Sequence, residues 1–384
     1  MRMSLWLIGI AIVAVLAAIA VFRRRSRVPA RLAADSASQG AALRAASTAT
    51  PEAAPDESSI PAPPAPAGDP GGVTPAEALN VRAETMRALR ELALDTTLPT
   101  TALAPPADEL CARVAATLVN IVDKPNYAPR RPMQLPRLMQ AINDETASRG
   151  ALSQIIAGDP ALAGNLLRLA NSPYYRHSPE PIESLDRAVA MLGTEGLRSM
   201  IAAALLQPVF RVSGGSFAHF GEVAWEHSVY AAGAAESHAA LAEGADPFAA
   251  QLLALIMGLA TIVVFSVAQD EFLARQRKPD AAVIAALIDA HAVGVARQIA
   301  ASWELSERID TALAEQLDLQ ATPGRAAGSA LGRALQFGEF IGALAVLRMR
   351  GQVNDQTAGE ILKTVPAPPA IAERIWARLG FTPD

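Results

Sequence analysis

The chain has 384 residues, a net charge of −5 and an isoelectric point near 5.7, so it offers no broad basic face of the kind that binds nucleic acid. Apolar residues make up 51 % and aromatic ones only 5 %, with alanine dominant; alanine favours helix and buries little area, which predicts many closely packed helices. Cys111 is the only cysteine, which excludes an intrachain disulfide and a CxxC metal knuckle, and its place on an apolar helical stripe predicts a buried core thiol.

Ser4 to Phe22 carries no charged residue. As helix it reaches about 28 Å, close to the ~30 Å hydrocarbon core of a bilayer. Arg2 precedes it, whereas Arg23, Arg24, Arg25, Arg27 and Arg31 follow, which places the C-terminal side in the cytoplasm. Ala18-Ile19-Ala20 has the small-residue pattern of a cleavage site, but the apolar run is long for a signal peptide, and the arginine cluster opposes translocation. Residues 1–26 are expected to be a single-pass anchor. Residues 27–72 are Ala/Pro/Ser-rich with few large apolar side chains, and are expected to form a flexible linker reaching on the order of 40 Å. Its Pro61 to Pro66 run reads as spacer.

Thr74-Pro75-Ala76-Glu77 is a capping box with proline at the first helical position, and predicts a helix to about Leu94. A second helix is expected over Asp108 to Val122 and a third over Arg137 to Asn143; residues 73–128 form an N-terminal helical segment. From there to Phe381 only helical periodicity and helix-type caps occur. Asp159 suits an N-cap before Pro160, while Asn171 and Gly193 suit left-handed positions at helix ends. The tail, 321–384, predicts helix over Ala330 to Leu347 and two shorter helices after Val353 and Pro369, with Arg348, Arg350 and Lys363 as solvated charges.

Ile155 to Leu162, with Asp159-Pro160, leads into Leu166-Leu167-Arg168-Leu169-Ala170-Asn171-Ser172; Ile182 to Val189 and Leu192-Gly193 follow. This spacing resembles the HDOD domain, an all-helical bacterial signalling module related to HD-type metal phosphohydrolases. The resemblance covers residues 129–320 and implies an all-α, multi-helix HDOD-like bundle in which Asp159, Pro160, Asn171, Ser172 and Gly193 are structural.

An HD-type phosphohydrolase uses an upstream histidine, an adjacent His-Asp pair and a later aspartate to hold a cation that activates water. Trp225-Glu226-His227-Ser228 is similar to the family's W-x-H-S segment and puts His227 in the first place. Aligning Gly258-Leu259 with the next segment puts Thr261 and Ile262 where the pair belongs, and no register helps, because Pro247 to Gln269 contains no His, Asp or Glu. His291 with Gly294, and Trp303-Glu304-Leu305, resemble later family segments, although Ser306 replaces a proline and Glu315-Gln316 replaces a histidine pair. His227 and His291 without a carboxylate make a poor divalent-metal site; His177, His219 and His238 have less context still. Losing the pair leaves Pro247 to Gln269 long and uncharged enough to span a bilayer, but Gln251, Thr261, Ser266 and the flanking Asp246 and Asp270 favour a buried central helix.

The resemblance thus implies a regulatory protein at the bacterial inner membrane, held through residues 4–22, that binds protein partners of a signalling pathway without turnover and without a cofactor. Vestigial-pocket candidates are His227, Thr261 and His291, beside the motif residue Trp225. Nucleotide second-messenger networks are the family's usual setting. A residual phosphohydrolase using His227, His291 and a distant carboxylate is the alternative.

Overall fold

Cap chemistry sets the helix boundaries. In the computed structural model α1 (Pro75–Leu94) starts on its proline, and α2 (Glu109–Val119) starts where the Asp108 carboxylate accepts the Cys111 N–H at 2.8 Å. α3 (Pro160–Ala170) again begins with proline. α4 (Phe220–His238) runs into a π-helical turn, Ala239–Glu243, and stops at Gly244, whose φ of 58° is left-handed. α5 (Pro247–Ala274) and α6 (Ala281–Ser302) are capped by Asp246 and Asp280, each accepting two backbone N–H groups. α7 (Glu307–Ala321), α8 (Ala330–Met349, capped by Ser329), α9 (Asp355–Leu362, capped by Asn354) and α10 (Pro369–Arg378) complete the order. Each such cap satisfies backbone donors that the helix cannot, at about 1 kcal/mol apiece.

The structure describes residues 75–100, 104–129, 160–171, 216–322 and 325–382, with positions 175, 182, 196, 199 and 202–204. All belong to one unit, Asp69–Asp384, and among the described residues there is no strand. The fold is all-α. The expected anchor at 4–22, the linker at 27–72, the helix at Arg137 to Asn143, and Asp159, Ser172 and Gly193 lie outside the described residues.

Three expectations are corrected. α2 ends at Val119, not Val122, and Ile121–Asp123 forms a 3-10 turn. Gln298 on α6 causes the break: it donates to the Leu118 carbonyl at 2.8 Å and accepts from the Ile121 N–H at 3.2 Å. Asn171 is not left-handed; among the described residues those that are, apart from glycine, are Asp95, Phe217, Gln276 and Glu304. Its side chain donates to the Leu167 and Ile182 carbonyls and accepts from the Ile182 N–H, all at 2.8 Å, so it clamps a distant strand of backbone. Arg348 and Arg350 are ion-paired instead of solvated, the first with Asp355 and the second with both Glu222 and Glu226 on α4.

α5 sits at the centre, packed by α2, α4, α6 and α8, and carries Leu253, Leu255, Leu259, Val264 and Phe265 with no exposure at all. A helix apolar all round needs cover on every side, and the bundle supplies it. By length and composition α5, α6 and α8 could each cross a membrane; in the fold 89 % of the most apolar stretch of α5 and 83 % of that of α8 are buried inside the protein.

The most extensive helix pair is α4 with α8, and it is made through glycine. A Cβ on Gly342 would lie 2.6 Å from Ala231 N and 2.7 Å from Ala231 Cα; one on Gly338 would lie 2.6 Å from Ala231 O. Those neighbours are backbone and cannot turn aside. Gly342→Ala is therefore expected to destabilise the protein by about 2–3 kcal/mol in urea unfolding. Gly294→Ala, where an added Cβ meets nothing within 4 Å, is expected to be stabilising by about 0.5–1 kcal/mol, since alanine suits a helix interior better. Equal effects at the two sites would contradict this packing.

Candidate functional site

On α4 the residues Phe220, Val223, Ala224 and His227 recur at helical spacing and form one stripe. With Gly258 and Thr261 of α5 and Leu89, Arg90 and Ala93 of α1 they line a small recess of about 10 Å³, about the space one water molecule needs, part of it open to solvent. Phe220 is fixed by stacking on Phe265, with ring centroids 3.8 Å apart.

His227 is buried, and its Nε2 lies 2.9 Å from the backbone carbonyl of Glu339 on α8. A carbonyl oxygen only accepts, so this contact assigns the proton to Nε2. The Glu339 carboxylate is 4.0 Å from the same nitrogen. Thr261 spends its hydroxyl on the Met257 carbonyl of its own helix at 3.0 Å. Arg90 donates twice to Asp289 Oδ1 on α6, at 3.0 and 3.3 Å. Arg82, also on α1, has its pKa lowered by burial, and the Glu339 charge opposes that shift.

The structure brings His227 and Thr261 to one recess, but His291 is not among its lining residues. His291 lies on α6, where burial lowers its pKa. The recess thus offers one imidazole, bonded to a carbonyl through Nε2 so that only Nδ1 keeps a lone pair, and one hydroxyl turned to its own helix. A divalent cation needs several free imidazole or carboxylate donors. Among the described residues no group of three or more His, Cys, Asp or Glu could hold a metal ion. The donor set does not fit the cation that HD-type chemistry uses, and no catalytic step is derived through one.

The HDOD domain profile matches residues 128–319, half of the chain. This chain is a member of the HDOD family. Three solved structures are similar to it. A protein from Shewanella amazonensis SB2B, provisionally described as a phosphohydrolase, is 19 % identical, covers 70 % of this chain and 96 % of its own, and gives a TM-score of 0.45. An HDOD domain protein with unknown function from Geobacter sulfurreducens is 17 % identical over 79 % of this chain and 94 % of its own, with a TM-score of 0.41. A protein from Marinobacter aquaeolei VT8, provisionally described as a signal transduction protein, is 16 % identical over 80 % of this chain and 69 % of its own, with a TM-score of 0.38. No curated protein matches this sequence closely enough to count as a relative.

The remaining motif residues of this HDOD protein act as braces. Trp303 is buried and donates its indole N–H to the Pro129 carbonyl at 3.2 Å, tying the end of α6 to the start of the matched segment. Trp225 is half-buried against the core. Cys111 is buried as expected, and burial, the largest cause, pushes its thiol up to about 11. Ser199 donates to Glu236 at 3.0 Å and accepts from Gln251 at 2.6 Å, a buried polar link from α4 and α5 to the segment that precedes them. Sequence reading missed Arg90, Asp289 and Glu339. Only the last had a visible signal, since it lies inside Gly338-x-x-x-Gly342, a spacing that lets helix backbones approach closely.

His238 is nearly fully buried, stacks on Phe337 at 4.2 Å, and its Nδ1 has no hydrogen-bond partner. Burial, more than any neighbouring charge, lowers its pKa below the ordinary 6.5. The folded chain therefore holds it neutral while the unfolded chain takes up a proton. Its contribution is fully present above about pH 6.5 and is lost progressively as pH falls below that value. His238→Phe keeps the aromatic stack and removes the titration. Urea midpoints taken at about pH 7 and about pH 5 should fall less in the variant than in the wild type; an identical fall would remove His238 from the account.

Proposed function

We propose that this HDOD protein is a membrane-tethered regulator that binds protein partners in a bacterial signalling pathway without turning over a substrate. The observation that carries the reading is the state of the recess. Its one imidazole, His227, has no second imidazole and no carboxylate among the lining residues, and aligning Gly258-Leu259 with the family's segment puts Thr261-Ile262 where the resemblance implies the metal-binding pair. The tether is part of the same proposal: residues 4–22 anchor the chain in the inner membrane, the body is cytoplasmic, and confinement near the membrane raises the local concentration of weak partners. The burial of the most apolar stretches of α5 and α8 supports a single anchor, and that of α6 is 56 % buried inside the protein.

The test takes the full chain purified without chelators. Metal content is expected to stay well below one ion per chain, with no turnover of cyclic dinucleotides or generic phosphoesters. Stoichiometric metal together with turnover that His227→Ala abolishes would establish the phosphohydrolase reading instead. Membrane sedimentation checks the anchor: loss of residues 1–72 is expected to release the chain from membranes, and continued sedimentation would place a second span in the body.

A further inference from the structure

α1 forms one wall of the recess, although it lies outside the family-matched segment and follows the linker in sequence. The two remaining walls belong to α4 and α5, deep in the bundle. α1 is held differently from either. Its first half is largely exposed, and its fully buried apolar side chains, Leu89, Ala93 and Leu94, fall in its last two turns, with Leu98 just beyond. Among the described residues its main helix contacts are with α4 and α8, whereas α5 is gripped by four helices. Among the described residues an ion pair joins α1 to α6, Arg90 with Asp289, and Asp289 is 52 % exposed. Water screens such a pair and makes it easy to open. A small recess also persists under α1, where the buried Arg82 guanidinium faces the charge of Glu339.

We propose that α1 is a lid that closes the His227–Thr261 recess, latched by Arg90 on Asp289, and that it opens as a unit while the rest of the bundle stays folded. Units that open below the global unfolding limit are those with few buried contacts, and α1 fits that description where α5 does not. Because α1 continues directly from the linker, anything that binds or strains the linker acts on access to the recess. That consequence rests on the recess being a contact site, as proposed above; the lid itself does not, and its test needs neither partner nor turnover.

The experiment uses the full chain in detergent micelles and combines amide hydrogen exchange with maleimide labelling of Thr261→Cys, read by peptide mass spectrometry. Buried Cys111 serves as the internal reference. The amides of α1 are expected to exchange at least about ten-fold faster than those of α5. Arg90→Glu should raise the labelling rate of the Thr261→Cys thiol by about ten-fold without raising that of Cys111, and adding Asp289→Arg should restore protection. Asp289→Ala, a change at a half-exposed carboxylate, gives a second route to an open latch should Arg90→Glu fail to fold. Exchange of α1 and α5 together would overturn the lid. Labelling that stays slow after either latch change, or rises equally at Cys111, would overturn it as well.

Discussion

The backbone-to-backbone contact of α4 with α8 at Gly338 and Gly342 is the constraint from which the site follows. With no side chain at either position, the α8 carbonyls approach α4 closely enough for His227 to donate to Glu339. A histidine held this way braces two helices and keeps only Nδ1 as an acceptor. The same contact makes α8 a structural partner of the matched domain although it lies beyond residue 319. Deleting the tail would strip the cover from α4, including the pairing of Arg350 with Glu222 and Glu226 and the contact of Tyr230 with Phe381.

Much of this architecture is legible in the sequence because caps and apolar periods are local. Pro75, Asp108, Pro160, Asp246-Pro247 and Asp280 stand at the starts of the helices they announce. The uncharged run after Pro247 is legible as a buried helix for a similar reason: the few polar groups it carries, Gln251, Thr261 and Ser266, are ones a core can satisfy, and each makes a hydrogen bond. Family resemblance extended that local reading to His227 and Thr261, which do share a recess.

What could not be read was long-range. Arg90 and Asp289 are 199 residues apart, and His227 and Glu339 are 112 apart, so neither pair leaves a pattern in a window of helical length. Asn171 does follow the end of α3, but without the left-handed conformation that asparagine often takes there. Its actual partner, Ile182, lies 11 residues on and satisfies the carboxamide better than a left-handed turn would. Arg350 looked solvated because its acidic partners are on another helix. His291 did not join the recess because it lies on α6, whereas the lining comes from α1, α4 and α5.

The central claim is that His227 is a brace between helices and not a metal ligand. The ring-nitrogen chemical shifts of His227, in the full chain labelled with nitrogen-15, test it most directly. The predicted spectrum is that of a neutral imidazole protonated at Nε2, unchanged by saturating zinc or manganese. A zinc-induced shift of either ring nitrogen, Nδ1 included, would contradict it.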